Sequence, residues 1–179
     1  SNIVLNELDW WIAGQWEEMP TRHAYRCNVH DNGSINKSPI YAALRKTALK
    51  ECYIVRYADD FKIFCRKRSD AVKLFEATKQ WLKIRLGLDI SPEKSKIVNL
   101  KRHYSEYLGF RLKARAKGKK TNSENKYVVT SHISDKASKK ILSRANELIQ
   151  DIFRHTDKET AYRCIGEYNA FVLGIHEYY

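Results

Sequence analysis

Between Tyr53 and Cys65 the sequence reads Tyr-Ile-Val-Arg-Tyr-Ala-Asp-Asp-Phe-Lys-Ile-Phe-Cys. This stretch constrains the fold more than any other. Two short runs rich in Tyr, Ile, Val and Phe flank a polar break, which is the pattern of two β-strands joined by a hairpin turn. The turn carries two consecutive acids, Asp59 and Asp60. Adjacent carboxylates repel each other and call for a cation, a proton or strong hydrogen bonds. A hard divalent ion such as Mg2+, which takes one or two carboxylates together with substrate phosphates, meets that need. A bare Asp-Asp pair is more often a solvated turn. The flanking strands and Tyr57, two positions before the first acid, weigh against that reading.

Charge adds a second constraint. With 33 Lys and Arg against 21 Asp and Glu, the 179-residue chain carries a formal net charge of +12. Such an excess points to an anionic partner, nucleic acid first. The charge is unevenly spread: residues 1–31 hold two basic residues against five acids, and residues 101–126 hold nine against two. Aromatic residues interleave with the second stretch, which favours nucleic acid over a merely solvated face. Candidate nucleic-acid contacts are therefore Lys113, Arg115, Lys117, Lys119 and Lys120, with Lys136, Lys140 and Arg144 on a later helix.

No run of 18 apolar residues is present, so no membrane span is expected, and no basic leader with a cleavage site opens the sequence. The four cysteines lie far apart without a Cys-x-x-Cys spacing, which suits reduced thiols in a cytoplasmic protein. His23, Cys27 and His30 fall close together but lack a fourth ligand at a zinc-like spacing.

The remaining elements follow from periodicity. Residues 2–18 place Val4, Leu5, Leu8, Trp11, Ile12 and Trp16 on one helical stripe ending before Pro20. Asp31-Asn32-Gly33-Ser34 is a turn, and Pro39 opens a short helix extending toward Ala48. Ser69-Asp70 reads as the N-cap of a helix running to about Arg85, with Val72, Leu74, Phe75, Thr78 and Leu82 inward and Gly87 as its stop. Leu88–Ile90 reads as a strand, and Ser91–Ile97 as a turn feeding a basic strand. Residues 104–112 form a strand whose glycine allows close backbone approach. The basic stretch 113–126 reads as a polar loop returning through the strand Tyr127–Thr130. Ser134 or Asp135 then caps a helix with Ile141, Leu142, Ala145, Leu148, Ile149 and Ile152 on one stripe, and the segment from Ile165 to Tyr179 comes last.

Several of these segments carry a resemblance. Tyr57-Ala58-Asp59-Asp60, preceded by Val55-Arg56 and followed by Phe61, resembles the fifth motif of reverse transcriptases, most closely the group II intron-encoded maturase-reverse transcriptases. Ser91-Pro92-Glu93-Lys94-Ser95 resembles the sixth motif, with Ser95 where Thr is common. Tyr107-Leu108-Gly109-Phe110 resembles the seventh, and Asn169, Gly174 and Tyr178-Tyr179 match the start of the thumb, or maturase, domain. The order and spacing fit throughout.

The resemblance implies an α+β fold: the C-terminal part of an antiparallel palm with helices on one face (1–132), then the start of a helical thumb (133–179). It implies RNA-directed DNA synthesis from dNTPs on an RNA template with a DNA primer, using Mg2+. Asp59 and Asp60 would hold metal, Lys94 would act at the leaving pyrophosphate, and Tyr57, Ala58, Leu108, Gly109 and Phe110 would lie against primer or nucleotide. A further essential aspartate, the fingers and the Pro-Gln-Gly motif belong upstream in that family, so these residues alone are expected to be incomplete for catalysis. Two other readings stand beside it: a non-catalytic RNA-binding splicing factor, and a reverse transcriptase of the retron or diversity-generating kind.

Overall fold

The computed structural model describes residues 2–119, 125–155 and 157–179. It is a mixed α+β structure with antiparallel sheets, and it divides into two compact units, residues 1–97 and 98–179.

In the first unit, α1 (Asn2–Gln15) and α3 (Arg68–Leu86) cover one face of a two-stranded sheet, β1 (Cys52–Tyr57) and β2 (Asp60–Cys65). The strands pair in register from Cys52↔Cys65 at the root to Tyr57↔Asp60 at the tip. Side chains alternate across such a sheet. Cys52, Ile54 and Arg56 therefore share the helix-covered face with Phe61, Ile63 and Cys65, leaving Val55, Tyr57, Asp60 and Lys62 on the other. The core is Leu5, Leu8, Ile12, Trp16, Leu44, Cys52, Leu74 and Leu82, with Ile54, Phe61 and Ile63 packed against it. Trp11 stacks on Trp81 at a centroid distance of 5.5 Å, and the Trp16 indole donates to the Tyr53 hydroxyl at 3.3 Å. Burying Leu8, Ile12, Trp16 and Leu44 stabilises the unit by roughly 2 kcal/mol per side chain.

The second unit holds a three-stranded sheet in the order β3 (Ser105–Tyr107), β4 (Phe110–Lys119), β5 (Asn125–Ile133), followed by α4 (Asp135–Arg154) and α5 (Lys158–Tyr178). The two helices pack against each other, with Leu148 and Cys164 buried. Ser134 caps α4, its hydroxyl accepting from the Ala137 amide at 3.2 Å. Asp157 caps α5 by accepting from Thr160 N–H at 2.8 Å, a bond that holds its carboxyl below the ordinary range.

Several expectations are corrected. The basic stretch from Lys113 to Lys119 is strand, not loop: it pairs with the β-branched run of β5, and that pairing outweighs the low strand preference of Lys and Ala. Residues 104–112 are a hairpin rather than one strand, turning at Leu108-Gly109. Leu88–Ile90 and Ser95–Ile97 form no strand; the Leu88 amide turns back to the Leu82 carbonyl and the Ser95 amide to the Ser91 carbonyl, and neither segment pairs with a strand among the described residues. The Ser69 cap is not used: α3 begins at Arg68 after an extended Lys67 with no side-chain cap, and Ser69 Oγ turns to Asp70 instead. The short helix α2 (Ser38–Leu44) stops before Ala48. Val4, Val72 and Leu142, placed inward by periodicity, stand at 50%, 44% and 60% exposure. The turn at Gly33 and the left-handed Gly87 stop are as read.

Candidate active site

The tip of the first hairpin is a two-residue turn, Ala58-Asp59, closed by the Tyr57↔Asp60 pair. Ala58 has φ +52° and is one of two non-glycine residues in the left-handed region among those described. A positive φ at the first turn position only matches the tight turn that follows the natural twist of paired strands. For a residue with a Cβ this conformation costs about 1–2 kcal/mol, so something must hold it.

Arg56 does so. Its guanidinium donates to both oxygens of Asp9 on α1, Nε to each at 2.9 Å and Nη2 to Oδ2 at 2.6 Å. Its remaining arm, Nη1, donates to the Ala58 carbonyl at 2.9 Å. The Arg56 side chain is 12% exposed, so this ion pair is shielded and stronger than a surface pair. A planar fork is needed to serve a carboxylate and a carbonyl together. The helix thus braces the turn from below.

Above it the turn is open. Ala58, Asp59 and Asp60 are exposed, and Tyr57 is 67% exposed. Asp60 shares its face with Lys62, two residues along the strand. Burial pushes the Lys62 ammonium below its ordinary range; the nearby Asp60 charge opposes that and Lys96 adds to it. Asp60 therefore stands near the Lys62 cation.

Two hard oxygen donors on an exposed turn fit a Mg2+-type ion, which binds through one or two carboxylates and keeps the rest of its shell for water and phosphate. Among the described residues no group of three or more His, Cys, Asp or Glu is placed to hold a metal, so His23, Cys27 and His30 form no such site. All four cysteines are free.

The other expected positions are distributed. Lys94 lies exposed in the Pro92–Lys94 turn of the first unit, where the Ser95 amide donates to the Ser91 carbonyl at 2.9 Å. Leu108 and Gly109 form the second unit's tight turn, with φ +49° and +80°. Lys113, Arg115 and Lys117 lie on β4 and Lys119 ends it, whereas Lys120 falls outside the described residues. Lys136, Lys140 and Arg144 are exposed on α4, Arg144 paired with Glu147 at 3.0 Å. Sequence reasoning missed Arg56, Asp9 and Lys62. Lys62 could have been found by alternation from Asp60; the Asp9–Arg56 pair spans 47 residues and left no local signal.

An acidic hairpin turn, braced from a helix and open on its far side, presents carboxylate oxygens of the kind a hard divalent cation takes. Residues 34–112 match the family described as Reverse transcriptase (RNA-dependent DNA polymerase). That stretch contains both tight hairpin turns. No curated protein and no solved structure matches the chain. Among the described residues no helix is long and apolar enough to cross a membrane.

Proposed function

We propose that this chain belongs to an RNA-directed DNA polymerase of the group II intron-encoded kind, which also binds intron RNA and assists its splicing. The observation that carries the reading is the exposed, braced Ala58-Asp59 turn with Asp60 beside it, inside a stretch similar to reverse transcriptases. In this reading residues 1–132 contribute palm and residues 133–179 begin the thumb. The substrates are dNTPs, an RNA template and a DNA primer, in a cytoplasmic setting that keeps the thiols reduced.

Asp59 binds the catalytic ion directly and Asp60 assists in ligation or positioning. Bound Mg2+ would lower the pKa of the primer 3′-hydroxyl and offset charge on the triphosphate. Tyr57 and Ala58 form the floor beneath the primer terminus, and Leu108, Gly109 and Phe110 lie against the primer end. Lys94 holds a proton for the departing pyrophosphate. Chemistry of this kind asks for a further carboxylate, which the resemblance assigns to an upstream segment.

Primer extension is the test, with the upstream segment fused or supplied separately, an RNA template, a DNA primer, dNTPs and Mg2+. Extension is expected with the native residues. Lys94→Ala is expected to slow it by about 10²–10⁴-fold, the range for loss of a general acid; a change of a few-fold would return Lys94 to a structural role. If Asp59→Ala leaves extension intact, the polymerase reading fails and an RNA-binding splicing factor takes its place.

A further inference from the structure

The second unit gathers like charges around one ring. Arg111, Lys113 and Arg115 alternate along β4 and so share a face of the three-stranded sheet. Tyr104, just before β3, lies among them. The Arg115 guanidinium donates to the Tyr104 hydroxyl at 3.0 Å, the Lys113 ammonium sits 4.8 Å from the ring centroid and the Arg111 guanidinium 5.3 Å. The hydrogen bond from Arg115, followed by the surrounding cations, draws the phenol below its ordinary pKa.

Three cations on one ring repel one another, and among the described residues only Arg111 has a carboxylate partner, Asp135 at 2.7 Å. Among the described residues neither Lys113 nor Arg115 forms an ion pair. The Arg111 Nε is also shielded from solvent without a hydrogen-bond partner among them. A cluster of this kind is held together by the ring's negative face and by the phenol oxygen. It is completed by an anion. Alternate strand residues stand about 7 Å apart, close to the step between neighbouring phosphates of a nucleic acid chain. Exposed Lys117 follows where the register of β4 shifts.

We infer that Tyr104 organises Arg111, Lys113 and Arg115 into a phosphate-binding row that seats the sugar-phosphate backbone of a single RNA strand. The inference rests on the proposed action on nucleic acid and specifies where a strand is gripped and by what. Tyr104 is a positioning residue: the cations touch phosphate, and the ring holds them in place beforehand. A preorganised row binds more tightly than the same charges on free side chains, because less side-chain freedom is lost on binding.

The test uses this chain and a fluorescein-labelled oligouridine, with affinity read by fluorescence anisotropy across a salt series. Lys113→Gln and Arg115→Gln are each expected to reduce the slope of log affinity against log salt by about 0.7. Tyr104→Leu removes no charge, yet is expected to weaken binding about two- to fivefold with the slope retained. Tyr104→Phe, which keeps the ring, should recover most of that loss. Combining Tyr104→Leu with Arg115→Gln should cost less than the two changes multiplied, since the ring acts through the guanidinium. Circular dichroism and melting confirm that each variant is folded; should Tyr104→Leu unfold, the Phe and Gln variants decide alone.

Unchanged slopes for both Gln variants would overturn the inference while leaving primer extension, and so the polymerase reading, intact. Failed extension with slopes that respond as described would sink the polymerase reading and leave the row standing. Vesicles containing phosphatidylglycerol supply the competing source. Binding to them that depends on Arg115, with RNA binding indifferent to it, would assign the row to a lipid surface and overturn the inference.

Discussion

The two tight hairpin turns share a design and differ in what surrounds them. Each is a two-residue loop closed by a Tyr at its start, Tyr57↔Asp60 in one and Tyr107↔Phe110 in the other. Each holds a non-glycine residue at positive φ, Ala58 and Leu108. The first is braced from beneath by Arg56 and left open above. The second is half-buried. Tyr178 donates its hydroxyl to the Leu108 carbonyl at 3.1 Å, and the Ser134 amide donates to the Gly109 carbonyl at 2.7 Å. A Cβ at Gly109 would lie 2.6 Å from the Tyr179 hydroxyl, and Phe110 packs on both Tyr178 and Tyr179 at 6.0 and 5.0 Å. Backbone strain alone therefore does not mark a turn that can hold a metal. What sets the first apart is strain combined with two exposed carboxylates.

The largest expected contrast is in activity. Asp59→Ala in the open turn should abolish primer extension, a loss of about 10³-fold or more for a direct metal ligand. A comparable loss from Gly109→Ala would break the contrast. That substitution should instead lower stability by about 2 kcal/mol, because Ala is strained at φ +80° and must displace the Tyr179 ring. Urea unfolding reads it, together with a change in tyrosine fluorescence as Tyr179 leaves Phe110.

Arg56→Lys sharpens the comparison from below. The charge opposite Asp9 survives, but one ammonium cannot serve both the carboxylate and the Ala58 carbonyl. A stability loss of about 1 kcal/mol is expected by urea titration. Extension should slow more than that loss explains, because the turn carrying Asp59 is released. If extension is unaffected, the brace is structural only.

The smallest effect concerns the opposite end of the same hairpin. Cys52 and Cys65 face each other at its root, and burial pushes both thiols up to about 11. The unfolded chain ionises these thiols at lower pH than the folded one. Their contribution to stability is thus fully present below about pH 9 and is lost as pH rises toward 11. Urea titrations across that window should show a decline of at most about 1.4 kcal/mol per pH unit for each thiol. Cys52→Ala should flatten the slope while leaving the tip's behaviour unchanged.

The parts legible in the sequence were those set by local pattern. Alternation around Asp59-Asp60 gave both strands and the turn, and the apolar spacing of Leu5, Leu8 and Ile12 gave the first helix. Gly87 marked the end of α3 because only a left-handed residue could stop it there. Elements that depend on a distant partner were not legible. The row Lys113-Ala114-Arg115-Ala116-Lys117 has strand periodicity but a loop's composition, and only the pairing with Tyr127–Thr130 decides it. Periodicity also put Val72 and Leu142 inward although both stand largely in solvent. In the candidate site the carboxylates were legible, while the brace was hidden: Arg56 reads as part of a local motif, and its partner lies on α1.

The two-residue turn gives the first hairpin something like a reading frame. A slip of β2 by one residue against β1 would turn every side chain of the strand to the other face. Phe61, Ile63 and Cys65 would swing toward water and Lys62 into the space beneath α3. The closed pair Tyr57↔Asp60 leaves the loop no slack to feed such a slip. A longer loop could keep the same pairing, yet it would also let the strand slide, so the shortness of the turn is what keeps each residue on its own face.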